Sequence, residues 1–438
     1  MIKKAIFITL TLLLHYNIGV AQTATDTTAD SRFTFHAQMT VVTQHNFPFA
    51  VKYSGANSFD NTANTETSIT STLFAGVRLW HGASVYINPE ISGGAGLSST
   101  LGVGGFPNGE TFRVGDPKPA IYLARGYVQQ YFNIGSNDTE QQDDDANSVK
   151  IRIPKKYIRV SAGKFSMADF FDVNDYAHDA RTMFLNWGLM SHGAWDYPAN
   201  TKGYTYGGVV EYSDGAQAAR AAISMLPTDA NGPDLDDNLA KSRSITVEYE
   251  RKFNFLGAPN RATVTAFHST TNMGNYAEAA QRLDRDVTAT RANGRTKYGF
   301  GVSLEREWAK NKFLFIKGSW NDGQNETWAF TEIDRSFTVG ASIQGEKWKR
   351  PDDRVGVAYL TNGISAQHAA YLKAGGYGFI IGDGDLNYTQ EHIIETYYSI
   401  QVTKWCAVSP DFQLIFNPAY NADRGVVPLV AVRLHTFM

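Results

Sequence analysis

The chain has 438 residues, of which 13% are aromatic and only 19% charged, with 39 Gly, 14 Pro and a single Cys. Its mean hydropathy is −0.30 and its formal net charge is −3 at pH 7. These values exclude collagen-like, disordered and coiled-coil chains, an intrachain disulfide or a Cys-rich zinc site, and a basic surface for nucleic acid. Many aromatics and few charges without overall hydrophobicity suit a protein with a thin apolar skin and a polar surface elsewhere.

The chain opens with Met1-Ile-Lys-Lys4, an apolar run from Ala5 to Leu14, and the small residues Gly19 and Ala21 before Gln22. This order predicts a secretory signal peptide over 1–21, followed by a short segment at 22–32. The cut is not followed by Cys, which argues against a lipoprotein. No later stretch approaches the ~18 apolar residues of a membrane helix. A closed β-barrel needs only every second residue to be apolar.

From 33 to the end the dominant pattern has period 2. At Ser244–Glu250, Ile245, Val247 and Tyr249 alternate with Thr246, Glu248 and Glu250. At Tyr298–Glu305, Tyr298, Phe300, Val302 and Leu304 face Gly299, Gly301, Ser303 and Glu305. Phe337, Val339, Ala341 and Ile343 repeat the pattern, as do Ile394, Tyr398, Ile400 and Val402. Such alternation marks strands with one apolar and one polar face. Runs fall at 33–46, 70–80, 83–92, 121–134, 157–165, 204–212, 217–226, 243–253, 260–270, 297–306, 312–321, 335–344, 353–360, 392–403, 412–420 and 426–437, sixteen in all. An even number of roughly ten-residue strands, with short links alternating loosely with long ones, predicts an all-β fold: a transmembrane antiparallel β-barrel of about 16 strands. Trp80, Tyr131, Phe132, Trp308, Trp320 and Trp405 near strand ends fit interfacial girdles. A soluble propeller is the competing architecture. The barrel is expected to occupy 33–438.

Long insertions lie at 93–120, 135–156, 166–203, 271–296 and 361–391. The stretch 136–148, with Asp143, Asp144 and Asp145, reads as a solvated loop. Segment 166–203 carries Phe170, Phe171, Phe184, Trp187, Leu189, Trp195 and Tyr197. A loop of that makeup would not float in water. It is expected to form short helices folded into the barrel as a constriction. The last strand places Met438 on the apolar register, where outer-membrane barrels usually carry an aromatic residue, with Phe437 one position early. The barrel-insertion machinery is the expected reader of this end.

Several segments resemble the carbohydrate-selective porins of Gram-negative outer membranes, the OprB-like family. They are Ser71–Arg78 (STLFAGVR), Pro89-Glu90, Gly105–Arg113 (GFPNGETFR), Gly163–Asp172 (GKFSMADFFD), Phe184–Trp187 (FLNW), Gly193–Asn200 (GAWDYPAN), Arg354–Tyr359 (RVGVAY), Gly382-Asp-Gly384 and Asn417–Asn421 (NPAYN). The resemblance spans most of the chain. It implies a sixteen-stranded outer-membrane barrel with inward-folded loops, passing small sugars by passive diffusion. Met438 and loop 136–148 depart from the pattern.

A sugar presents hydroxyls that donate and accept, and apolar C–H faces. Strand parity puts Arg78, Glu90, Arg125, Arg159, Glu248, Glu250, Glu305, Glu395 and Arg433 on the polar face, expected to line the lumen with a transverse field. Within 166–203 the candidates are Asp169, Asp172 and Arg181, with Trp187, Trp195 and the adjacent Asp196; Asp175 and Asp179 are further charges there. In 108–113 they are Glu110 and Arg113, flanked by Gly109 and Gly115. Each has a plain structural alternative: helix capping, wall solvation, or packing of the loop.

Other chemistry is weakly signalled. Asp383-Gly-Asp385-Leu-Asn387 begins like a calcium loop, but Tyr388 stands where glycine is needed, so a turn is the better reading. Glu391 and Glu395 on one strand lie about 13 Å apart, too far for the ~5–9.5 Å of a glycosidase pair. No cofactor, metal or catalytic set is expected. The reading is a channel and not an enzyme, with small carbohydrates and outer-membrane lipid as partners. A general or ion-selective porin and a secreted sugar-binding β-protein are the alternatives. The sugar and the oligomeric state stay open at this level.

Overall fold

A computed structural model describes residues 30–111, 118–135 and 137–438. The expected signal peptide and Arg113 lie outside these residues.

Alternation of apolar and polar residues leaves each strand with two unlike faces, and closure removes the unpaired edges such strands would otherwise expose. The strands are β1 (Phe33–Asn46), β2 (Asn64–Trp80), β3 (Ala83–Gly94), β4 (Ala120–Asn133), β5 (Thr139–Gln142), β6 (Ile151–Pro154), β7 (Tyr157–Phe165), β8 (Thr205–Ser213), β9 (Gln217–Ser224), β10 (Arg243–Phe255), β11 (Ala258–Thr271), β12 (Arg295–Ala309), β13 (Lys312–Asn321), β14 (Arg335–Gly345), β15 (Arg350–Gly363), β16 (Glu391–Thr403), β17 (Cys406–Phe416) and β18 (Val427–Phe437). All but β5 and β6 form one closed antiparallel barrel in which each strand pairs with its barrel neighbours in chain order, and β1 closes on β18. The closing register runs Val41↔Leu434 and Thr43↔Val432, and Met438 exchanges backbone hydrogen bonds with Ala37.

The strands coincide with the sixteen period-2 runs, with informative shifts at their ends. Strand β2 starts six positions before 70, in Asn64–Ser68, where both faces are polar and alternation vanishes. Strand β17 is displaced from 412–420: Asn417 (φ 51°) and Ala419 (φ 54°) break the chain into a turn. Strand β4 carries a register shift opposite Asn88 and Pro89, where the missing proline N–H is tolerated.

The outward face is the apolar one. Val247 is 46% exposed, Phe300 48% and Val432 54%, while the intervening Glu248 is 4% exposed. One end of the barrel has tight turns, such as Trp80 to Ala83, Phe255 to Ala258 and Thr403 to Cys406, and holds both ends of the wall, Phe33 and Phe437. The other end carries the long loops, including those after β3, β7, β11 and β15. Among the described residues, three short α-helices lie in these loops: α1 (Trp187–Met190), α2 (Tyr276–Ala279) and α3 (Ala366–Lys373).

The largest aromatic cluster is inside the barrel. Phe106, Phe165, Phe170, Phe171, Trp187, Trp195, Tyr197 and Phe330 are packed together and buried. The loops, not the wall, supply most of this core, so the interior is largely filled. The described part of 136–148 is solvated as expected, with Asp143, Asp144 and Asp145 exposed, but it is not a free loop. Strands β5 and β6 pair as a hairpin at the short-turn end, and Val149, Ile151 and Ile153 are buried against Tyr86, Tyr127 and Tyr131. Three apolar side chains at alternating positions just past the acidic stretch give that hairpin a buried face.

Candidate functional site

Segment 166–203 runs down from β7, crosses the interior and returns to β8. Its conformation is held by the wall. Glu248 accepts from the Asp172 N–H at 2.7 Å and Glu305 from the Asp175 N–H at 3.1 Å. Glu395 accepts from the N–H groups of Leu185 and Asn186, the latter at 3.0 Å. Arg433 donates to the Ala180 carbonyl at 2.7 Å and to Met183; Arg261 donates to the Val173 carbonyl at 3.0 Å. A loop without a ladder of its own has orphan backbone groups, which the barrel satisfies with charged side chains. Glu248, Glu305, Glu395 and Arg433, expected to face water in the lumen, are therefore clamps covered by the segment.

Beside this segment, enclosed by β2, β3, β4 and loop 97–111, lies a cavity of about 230 Å³. Two ionic groups build its wall. Arg125 grips Asp169 with Nε and one terminal nitrogen, at 2.7 and 2.6 Å, and Asp169 caps the turn after Ser166. Arg181 bridges Glu110 at 2.9 Å and Glu90 at 3.1 Å. Glu90 also accepts from Thr72 at 2.6 Å, Tyr204 at 3.1 Å and Tyr122. Burial pushes the Glu110 carboxyl above its usual range, against the pull of Arg181. Lys202 Nζ sits 3.8 Å from the centre of the Tyr122 ring. Trp187 and Phe330 stack at 4.4 Å with an interplanar angle of 6°, and Tyr197 abuts both. All three aromatics line the cavity.

Paired charges in a confined polar space keep spare lone pairs and N–H groups for a ligand that both donates and accepts. Tight charge pairs and aromatic faces around one narrow space match what a polyhydroxylated solute offers.

Residues 56–438 match the carbohydrate-selective porin, OprB family. The chain belongs to that family. It is an outer-membrane, carbohydrate-selective channel of the Gram-negative type, with the family's sixteen-stranded barrel. Among curated proteins it is similar to the porin AaxA of Chlamydia abortus, 21% identical over 358 residues, covering 80% of this chain and 69% of that protein. Among solved structures it is similar to the high-pH structure of Pseudomonas putida OprB, with a TM-score of 0.71 at 16% identity, covering 93% of this chain and 94% of the other. The outer membrane channel DcaP of Acinetobacter baumannii aligns with a TM-score of 0.51 at 8% identity, covering 93% and 97%. These two structural likenesses concern the fold.

Of the residues singled out from the porin sequence, Glu90, Glu110, Arg125, Asp169, Asp172, Arg181 and Trp187 meet at the cavity. Asp172 is buried between Lys317 at 3.1 Å and His192 at 3.2 Å. The His192 ring lies directly on Gly301 of β12, where a Cβ would overlap it. Arg78 stands apart at the short-turn end, paired with Asp30 at 2.8 Å. Arg159 joins a wall ladder through Glu211 at 3.0 Å, continued by Arg220 to Glu248 at 2.8 Å. Trp195 packs behind the cavity on Phe171 and Tyr197. Asp196 accepts the N–H groups of Trp328 and Ala329, and burial pushes it up to about 6. Neither lines the space.

Tyr122, Tyr204, Lys202 and Phe330 were not anticipated. The β3–β4 register shift explains Tyr122: it lies on the parity opposite to Arg125, yet both face the interior because the bulge re-aims the strand. Asp383 and Asp385, in the calcium-like stretch, bond to Asn421 at 3.0 Å and Lys373 at 2.6 Å respectively. Among the described residues no cluster of three or more His, Cys, Asp or Glu forms a metal site.

Proposed function

We propose that small neutral sugars cross this porin through the cavity beside segment 166–203, which acts as its selective constriction. The observation that carries this reading is the Arg181 bridge between Glu90 and Glu110, facing the Arg125–Asp169 pair across a space bordered by Trp187, Tyr197 and Phe330. A sugar hydroxyl exchanges hydrogen bonds with either ionic group as it passes, and its C–H faces slide over the aromatic rings. Because Arg125 and Arg181 are already held by carboxylates, a neutral solute displaces little. Transport is passive, and no residue is asked to perform a reaction. In the same reading, outer-membrane lipid covers the outward apolar face and the insertion machinery meets β18, with Met438 on the outward register.

The test is conductance in planar bilayers. Purified protein should form pores whose ionic current falls, saturably, on adding a mono- or disaccharide. Pores equally indifferent to every sugar tried, at concentrations where viscosity is matched, would refute sugar selectivity at this site.

A further inference from the structure

A second cavity, of about 550 Å³, opens at the short-turn end of the barrel. Asp179 and Arg181 line both cavities, so the two lie in series and meet at those side chains. The tip of the β5–β6 hairpin supplies Asp145 and Ala146 to the second cavity, and Arg354, Gln401, Lys404 and His435 come from β15 to β18 and their turns.

The hairpin is seated, not draped. Val149 is fully buried and Ile151 is 2% exposed. Its tip is tied to the inner wall by Asn88 donating to Asn147 at 2.9 Å and by the Thr34 hydroxyl donating to the Asp145 carbonyl at 3.5 Å, and His36 lies 3.4 Å from Asp144. Its flank is tied by Ser31 N–H to the Lys150 carbonyl at 2.7 Å and by Tyr131 to Gln142 at 3.1 Å. It covers the arc from β4 to β1 and leaves the opening against β15–β18. A segment fixed this way keeps its tip in the mouth.

The electrostatics of the two cavities differ. In the inner one, Arg125 and Arg181 are locked to carboxylates at 2.6–3.1 Å. In the outlet, among the described residues, the Asp145 carboxylate accepts only a local backbone N–H, from Ala146 at 2.7 Å. Among the described residues, neither it, Asp352 nor Arg354 forms an ion pair. Unpaired charges facing a narrow aqueous opening act on ions; paired ones suit neutral solutes.

We propose that the β5–β6 hairpin forms a periplasmic-side exit constriction in series with the sugar passage, and that Asp145, opposed by Arg354, sets the ion selectivity of the pore there. This rests on the interior being a passage, and the experiment separates the two claims. In a Cys406→Ser background, Ala146→Cys is exposed to a charged methanethiosulfonate reagent in planar bilayers, with labelling verified by mass and barrel integrity by heat-modifiable migration. Single-channel conductance should fall at least twofold on labelling, whereas labelling Leu283→Cys, on a fully exposed outer loop, should leave it unchanged. In a KCl gradient, Asp145→Asn should shift the reversal potential toward anion permeability and Arg354→Gln toward cation permeability. An Ala146→Cys protein that resists labelling, or is labelled without change in conductance, overturns the exit constriction. Unchanged reversal potentials in both charge variants overturn the assignment of selectivity. If the unaltered protein forms no pores at all, the passage reading itself fails.

Discussion

Arg181 is the side chain on which the proposed passage turns, because it answers two carboxylates at once, Glu110 at 2.9 Å and Glu90 at 3.1 Å. Removing it in Arg181→Ala leaves two acids facing each other in a space with little water. Breaking one side of such a buried pair costs about 3–5 kcal/mol, and the uncompensated acids should make the pore prefer cations. The reversal potential in a KCl gradient measures this; a potential unaltered from the parent would refute the role. Arg181→Lys should restore only part of the effect, since one ammonium does not reproduce the planar fork. Trp187 differs in kind, as in the proposed passage it would meet a solute only through its ring. An aromatic contact contributes about 0.5–1.5 kcal/mol. Trp187→Ala should therefore raise the sugar concentration for half-block of the current by about twofold to tenfold, with open-pore ion selectivity preserved. An unchanged half-block concentration would assign the ring to packing on Phe330 alone.

At the scale of elements, a rigid barrel grips a loop that has almost no regular structure of its own. Glu395 shows the logic: one carboxylate satisfies two consecutive N–H groups at the foot of segment 166–203, those of Leu185 and Asn186. Each buried N–H left without a partner costs about 1–3 kcal/mol. Glu395→Ala should thus loosen 180–190 without unzipping β16. Protease applied to the folded, heat-modifiable barrel should cut there faster than in the parent, and Glu395→Gln, which keeps an acceptor, should recover much of the protection. Equal cleavage of parent and Glu395→Ala would sink the clamp. Such clamps also mark how far the sequence could be read. Alternation identifies Glu248, Glu305 and Glu395 as inward-facing, because parity is a property of the strand itself. Whether an inward residue meets water or a loop depends on where a distant segment folds, and no local pattern carries that. The same limit explains 136–148. Asp143–Asp145 dominate its composition, while the residues that seat it, Val149, Ile151 and Ile153, lie beyond it and find their partners on β3 and β4. Tyr122 escapes for a third reason, a bulge that reverses parity within one strand. By contrast, the inward course of 166–203 was legible, since Phe170, Phe171, Trp187 and Trp195 have no favourable place in water.

For the whole molecule, the outer mouth depends on a network that joins loops distant in sequence. His368 of α3 lies 3.0 Å from Asp334 and 3.7 Å from Glu332, both in the loop before β14. Its ring stacks at 4.1 Å on Tyr276 of α2. Lys297 of β12 approaches Asp334 at 3.8 Å and Asp196, in segment 166–203, at 3.9 Å. Burial opposes the charge on His368, but Asp334 and Glu332 outweigh it and raise its pKa above the ordinary 6.5. A raised histidine stabilises the folded loops fully below its unfolded pKa, and that contribution is lost as pH climbs through the folded value. Asp196, pushed up to about 6 by burial, works in the same direction: folding favours its protonated form, and this support fades between its unfolded pKa near 3.8 and about 6. Asp334 has the opposite sign. His368 and Lys297 hold it below its ordinary 3.8 despite burial, so its contribution is complete above that value and lost only in stronger acid. The three together place the tightest loop packing near pH 4, with loosening first as Asp196 ionises toward about 6 and then as the pH rises past His368. Hydrogen exchange of α3 and the loop before β14, followed in detergent at pH 5 and at pH 8.5 after correction for intrinsic rates, should show protection falling at the higher pH. His368→Gln, which stays neutral throughout, should flatten the difference while leaving the exchange of β10 to β13 unchanged. Protection that is independent of pH in the parent protein would show that the outer loops are held by their apolar contacts alone, and a pH difference undiminished in His368→Gln would refute the role of His368 and leave Asp196 as its source.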